Sequence, residues 1–260
     1  MKTQEELTAY LQGLPQIPGD DLESHCVSMV GRPVFDAVVR NYTEKQWGTP
    51  CNKLPKSIIA RLPIRHTRDT TYFNSAKYQG MPVLGYSTVV RRMVAKATVY
   101  FGVDVDYGSL KSLYAQYEGR VFFSGPLDTL MGYSLGRLPY RSLRFEDKLH
   151  PCSQVQNVPV INDLTLAPHT RTIEHKLFYP EAPSTNYTLT TTEFPAAWSP
   201  TAEPYYPIRD KAAIELHARY VEAVSATFPK MVVGGRLGAY MYYDMDQVIA
   251  MAMKDAHAYK

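Results

Sequence analysis

The feature that most constrains this chain is a glycine-bearing turn near its end, Met231-Val-Val-Gly-Gly-Arg-Leu-Gly-Ala-Tyr-Met-Tyr-Tyr-Asp-Met-Asp-Gln-Val-Ile-Ala250. Met231, Val232 and Val233 follow Pro229 and read as a short buried strand. Gly234 and Gly235 then permit a sharp turn and a close backbone approach. Met245, Val248, Ile249 and Ala252 recur at helical spacing, and Asp244 stands just before them as an N-cap or N-terminal anion. A strand, a glycine turn and a helix N-terminus in succession suit a phosphate-bearing or polyhydroxyl ligand. The same order also serves as an ordinary strand–turn–helix connection, so the pattern by itself leaves both readings open.

At 260 residues the chain can bury a sizeable core as one or two domains. Its net charge of +3 is too small to point to nucleic acid and agrees with anionic small ligands. Cys26, Cys51 and Cys152 are odd in number and lack metal-ligand spacing. They read as free thiols of a reducing compartment, so a cytoplasmic location is expected. No apolar run approaches a membrane span, and the polar, acidic N-terminus does not read as a secretory signal. Tyrosine is abundant, with 20 residues, and offers an apolar face plus a hydroxyl for sugars and bases. Most of these tyrosines are expected in the core or at its edge.

The expected fold class is α+β, with helices first, a central antiparallel sheet, and strand–helix pieces around Ser124 and Gly234. Thr3 and Glu6 form a capping box before the helical stripe Leu7, Tyr10, Leu11 and Leu14, which the prolines at 15 and 18 end. A second helix is expected over 22–29, and a third begins at Pro33, carries Val34, Phe35, Val38, Val39 and Tyr42, and stops at Gly48-Thr-Pro50. Short helices are expected over 57–61, 88–95 and 109–117, and strands over 98–104 and 120–124. Residues 142–148, 155–161, 171–178 and 187–193 carry β-branched or aromatic residues between turn signals and read as one antiparallel sheet. A helix over 210–228 leads into the glycine turn. The division expected is 1–62 helical, 63–118 mixed, 119–135 a strand–helix piece, 136–208 the sheet, and 209–260 the closing portion.

Eight stretches in order give the chain a family likeness. They are Asn41-Tyr-Thr-Glu-Lys-Gln-Trp-Gly48, Arg61-Leu-Pro-Ile-Arg65, Tyr78-Gln-Gly-Met-Pro82, Ser124-Gly-Pro-Leu-Asp128, Leu138-Pro-Tyr-Arg-Ser-Leu143, His169-Thr-Arg-Thr-Ile-Glu-His175, Glu203-Pro-Tyr-Tyr-Pro207 and the glycine turn itself. Together they resemble the UDP-galactopyranose mutases, from about residue 22 to about 253. The resemblance implies flavin-dependent interconversion of UDP-galactopyranose and UDP-galactofuranose, an isomerase step toward galactofuranose-bearing cell-surface polysaccharide. Reduced FAD is the implied cofactor, with its N5 as nucleophile at the anomeric carbon. The protein would bind UDP, orient the sugar and stabilise the diphosphate leaving group.

The resemblance also assigns residues. Arg61 and Arg171 match the pair that clamps the diphosphate, Arg61 beside a mobile loop. Tyr42 matches the tyrosine that stacks on uracil, Thr43 its nucleotide neighbour and Trp47 a mobile-loop tryptophan. Read unaided, Tyr42 is equally the last core position of its helix. Tyr72, Tyr206 and Tyr242 match tyrosines near diphosphate and sugar, and Tyr242 joins Arg61 and Arg171 as the catalytic set. Glu193 matches an acid near the galactose, with a strand-end carboxylate as the plain alternative. Gly235, Arg236, Asp244 and Met245 match flavin contacts, and Arg141 is a further candidate. His66, His169 and His175 read as structural, and no metal cluster stands out. The family's Rossmann motif, G-x-G-x-x-G, does not occur here. The implied FAD-binding α/β domain is therefore incomplete. Two alternatives stay open beside the enzyme: a non-catalytic UDP-sugar-binding remnant, and half of a split mutase needing a separate Rossmann chain. A homodimer is also compatible with the resemblance.

Overall fold

The structure is a computed structural model and describes residues 3–59, 77–179, 181 and 184–258. In chain order its elements are α1 (Gln4–Gln12), α2 (Leu22–Val30), α3 (Arg32–Val34) running through a π-helical stretch (Phe35–Arg40) into α4 (Asn41–Trp47), α5 (Gly85–Met93), α6 (Tyr107–Gln116), β1 (Val121–Phe123), α7 (Leu127–Leu130), β2 (Tyr140–His150), β3 (Val160–Asn162), β4 (Arg171–Glu174), β5 (Thr188–Ala197), β6 (Tyr206–Pro207), α8 (Lys211–Thr227), β7 (Met231–Val233), α9 (Gly235–Gly238) and α10 (Met245–Ala258). One sheet has the order β3-β4-β5-β2-β6, and β1 pairs with β7 in a second. The class is mixed helix and sheet. The chain divides into two compact units, Met1–Thr98 with Leu143–Ala196, and Val99–Ser142 with Ala197–Lys260.

In the first unit, α1 starts on the capping box, with the Glu6 amide donating to Thr3 Oγ1 at 3.1 Å. Asp21 caps α2 by accepting from the Ser24 amide at 2.9 Å. The helix then buries Leu22, Cys26 and Val27 along one stripe, against Phe35, Cys51 and Leu54. Each large apolar side chain so buried contributes roughly 1.5–3 kcal/mol. Burial also holds the Cys26 thiol up at about 11 and the Cys51 thiol up at about 12. Gly48, at φ 63°, ends α4 in the left-handed conformation and donates to Glu44 O at 2.8 Å.

The sheet of this unit departs from two sequence expectations. Residues 155–161 do not form a full strand, and only Val160–Asn162 pairs with β4. The amides of Val155 and Gln156 bond instead to the buried Glu174 carboxylate, at 3.1 and 2.6 Å. Residues 171–178 are strand only as far as Glu174, after which His175–Phe178 turn as a 3-10 helix.

In the second unit, Asp210 caps α8, which buries Ala213, Tyr220 and Val224 on one face. They pack with Leu110, Leu127, Leu130, Leu138, Tyr140, Phe228 and Tyr240. β1 and β7 run parallel, Val121 opposite Met231 and Phe123 opposite Val233. The expected strand at 98–104 does not form, and Val99, Phe101 and Val103 are exposed. Gly102, at φ 67°, breaks the extended run, so the alternation there marks no sheet face.

His217 stacks on Tyr240 with ring centroids 5.3 Å apart, and its Nε2 lies 2.8 Å from the Gly238 carbonyl. Burial disfavours the imidazolium and lowers this histidine below its ordinary value of 6.5. The unfolded chain then takes up the proton first. The stability that the neutral imidazole contributes is complete above pH ~6.5 and is lost as pH falls through the folded value. His217→Gln should therefore narrow the fall in Tm between pH 7.5 and 5.5. An unchanged fall would place the acid sensitivity elsewhere.

Candidate active site

Each unit carries one cluster of the residues singled out by sequence. In the first, helix and sheet meet at Arg171. This residue opens β4 opposite Glu193 of β5, so both side chains leave the same face of the sheet. Arg171 Nη2 donates to the Tyr42 hydroxyl at 2.6 Å, and Nε lies 3.1 Å from Glu193 Oε2. Tyr42 is thus half-buried with its hydroxyl engaged by an arginine, rather than a fully buried core residue. Glu193 is itself buried. Desolvation raises its carboxyl above the usual carboxylate range, although the Arg171 charge pulls it down. Thr43 is buried, and Trp47 packs against the helical core. Arg61, Tyr72 and His66 lie outside the described residues.

This cluster sits on a bracket that sequence reading missed. Lys45 Nζ donates to the Asp163 carbonyl at 3.0 Å, to Asp163 Oδ1 at 3.1 Å and to the His169 carbonyl at 2.8 Å. Asn41 Nδ2, one turn earlier, donates to the Leu164 carbonyl at 3.0 Å. The one available signal was the helical i,i+4 spacing of Asn41 and Lys45 beside Tyr42. The His169 ring is at 3.5 Å from Asp163 Oδ2 and edge-on to Phe194, and His175 bonds Thr191 Oγ1 at 2.7 Å.

In the second unit the Arg236 guanidinium lies 4.5 Å from the Tyr242 ring centroid and 5.4 Å from that of Tyr206. The two rings are 5.3 Å apart. Arg236 Nε is buried without a hydrogen-bond partner among the described residues. Gly235 has φ 70°, and a Cβ there would come within 2.7 Å of Ser124 Cβ, so only glycine lets this turn close over the end of β1. Arg141 pairs with Tyr206 across β2 and β6, and burial lowers its pKa. Asp244 precedes α10, its carbonyl accepting from the Val248 amide at 3.0 Å, and Met245 opens the helix exposed. Among the described residues no helix is long and apolar enough to cross a membrane.

Planar cations beside tyrosines, on a mixed helix-and-sheet frame with a glycine-turn unit, define a protein suited to an anionic ligand that also carries rings. The comparisons make that class particular. The family profile described as UDP-galactopyranose mutase matches residues 37–242. A Klebsiella pneumoniae protein described as a probable UDP-galactopyranose mutase is 36% identical over 235 residues, 90% of this chain and 59% of the relative. A Mycoplasma pneumoniae UDP-galactopyranose mutase is 33% identical over 83% of this chain and 56% of its own length. An Escherichia coli dTDP-fucopyranose mutase is 31% identical over 91% and 63%. A crystal structure of a reduced UDP-galactopyranose mutase shares the fold, with TM-score 0.59 and 13% identity over 92% of this chain and 67% of that one. The chain belongs to the UDP-galactopyranose mutase family. It spans somewhat less than three fifths of the length of the first two relatives.

Proposed function

We propose that this chain contributes the nucleotide-sugar site of a pyranose mutase that interconverts UDP-galactopyranose and UDP-galactofuranose. The observation that carries this reading is Arg171, held between the Tyr42 hydroxyl and the Glu193 carboxylate on a matching family motif. Arg171, with Arg61, would take the diphosphate and hold its charge as the sugar leaves. Tyr42, with Thr43 and Trp47 around it, would take the uracil. Glu193 would bond sugar hydroxyls. By the family resemblance, Tyr206 and Tyr242 would contact phosphates and sugar, with Tyr72 as a further contact. A relative named for a dTDP-fucopyranose supports the broader class, nucleoside-diphosphate pyranoses, as the substrate pool to test.

The residues present suit the flavin end of FAD. The buried Arg236 Nε lacks a partner among the described residues, and Gly235 admits a close backbone approach. Arg236, Gly235, Asp244 and Met245 would hold that end. When bound, reduced FAD would supply the nucleophilic nitrogen for the anomeric carbon.

A second reading is favoured by one observation. The β1–β7 sheet has two parallel strands among the described residues, whereas parallel sheets are ordinarily wider and covered on both faces. A groove of about 430 Å³ beside β1, lined by Leu113, Tyr117, Val121 and Phe122 among others, fits a chain that completes its FAD domain with a separate Rossmann part. Visible absorption of the purified chain with FAD, then with a supplied Rossmann half, tests both readings. A bound-flavin spectrum and dithionite-dependent mutase turnover are expected, with the chain alone or only on assembly. No flavin under either condition, with UDP still bound, would leave a nucleotide-sugar binder and end the enzyme reading.

A further inference from the structure

We propose that Lys45 is a positioning residue for the diphosphate site, acting through Arg171, an inference that rests on the nucleotide reading of that site. The ammonium has three protons and meets three acceptors, the Asp163 carbonyl, Asp163 Oδ1 and the His169 carbonyl. These acceptors lie at the two ends of the β3–β4 connection, so one side chain draws both ends onto α4. The connection is also closed on itself and on β5. The Asp163 amide donates to the Thr170 carbonyl at 2.8 Å, and the Thr170 amide donates to the Glu193 carbonyl at 2.9 Å. Arg171 follows directly, and its guanidinium returns to α4 at the Tyr42 hydroxyl. The path runs from Lys45 through Asp163 and His169 to Arg171 and back to Tyr42, three residues before Lys45 on the same helix. The Lys45 side chain is only 15% exposed, so this is not a solvent-screened surface pair.

The Thr165 hydroxyl and then Lys45 hold Asp163 at about 2 against its desolvation, so its carboxylate stays charged throughout the neutral range. Without Lys45, α4 keeps its helix and the Asn41–Leu164 bond but loses the fastening at both ends of the connection, which sets Tyr42 and Arg171 at bonding distance. The guanidinium fork then meets a diphosphate in more than one orientation.

The test uses the full chain and its Lys45→Met variant, labelled with 3-fluorotyrosine, the Tyr42 signal being assigned by Tyr42→Phe. In Lys45→Met the Tyr42 resonance should move toward its position in Arg171→Ala. Calorimetric UDP affinity should fall about tenfold, and uridine affinity, which needs no arginine fork, much less. In an Arg171→Ala background Lys45→Met should cost no further UDP affinity, a non-additivity that general destabilisation would not produce. Should Lys45→Met fail to fold, Lys45→Gln carries the same readouts. A Tyr42 signal left at its original position, or a UDP loss that persists in full without Arg171, overturns the proposal. If the unsubstituted chain binds no UDP, the nucleotide reading falls, and the fluorine signal alone decides whether Lys45 holds the Tyr42–Arg171 contact.

Discussion

Arg171→Ala is expected to abolish mutase turnover in the assembled, flavin-loaded enzyme and to weaken UDP binding by about tenfold to a hundredfold. The range follows from a charge-assisted contact worth roughly 1.5–3 kcal/mol, at about 1.4 kcal/mol per tenfold. The loss in turnover should exceed the loss in binding, because charge accumulates on the diphosphate as the sugar departs. Arg171→Lys keeps the charge but not the planar fork and should fall between the two. One complication is internal to the cluster. Glu193 is buried 3.1 Å from Arg171 Nε, and removing the arginine leaves that carboxylate without its counter-ion. Arg171→Ala combined with Glu193→Gln removes both charges and separates lost binding from a disturbed strand pair. If the single variant turns over near the normal rate, the diphosphate clamp is not at Arg171.

How much of this was legible in sequence depends on the range of the interaction. α2, α8 and β5 fall close to the ranges expected over 22–29, 210–228 and 187–193, and the structure shows what fixes them locally, namely Asp21 and Asp210 as caps and the threonine-rich run of 188–192. The glycine turn was legible because φ 70° at Gly235 excludes other residues. The contact between Tyr42 and Arg171 joins residues 129 apart, and no periodicity encodes it; only the family motifs placed both at one ligand. Lys45 carried no signal beyond one helical turn, because its acceptors are mostly backbone carbonyls, which every residue type possesses. The strand expected at 155–161 failed for a related reason. Alternating side chains mark a face, but strand pairing needs free backbone donors, and a distant carboxylate had taken them.

That carboxylate, Glu174, carries the largest expected effect on stability. Its side chain is fully buried at the end of β4. It accepts from the amides of Val155 and Gln156 and from Thr188 Oγ1, the last at 2.7 Å. Desolvation would raise its pKa, but the Thr188 hydroxyl and the two amides together outweigh that and hold it below the usual 4.5. Glu174→Ala strands the buried Gln156 amide, the Thr188 hydroxyl and the part-buried Val155 amide, each costing about 1–3 kcal/mol, so a loss of at least about 3 kcal/mol is expected. For a chain of this size that corresponds to a Tm lower by roughly 10 °C. Glu174→Gln offers one acceptor where two oxygens served, and should cost less than the alanine. The sign with pH follows from the depressed carboxyl: its contribution is complete above ~4.5 and is lost as pH falls through the folded value. The Tm gap between the chain and Glu174→Ala should therefore be full at pH 7 and narrow as pH falls through the depressed value of the folded carboxyl. Equal melting at pH 7 would mean that the 155–156 segment finds water in place of the carboxylate. The loosened segment leads into β3, which pairs with β4 from Val160 opposite Ile173 to Asn162 opposite Arg171. A UDP affinity that falls with stability in Glu174→Ala would then show that the strand pairing behind Arg171, and not its charge alone, makes the guanidinium a binding group.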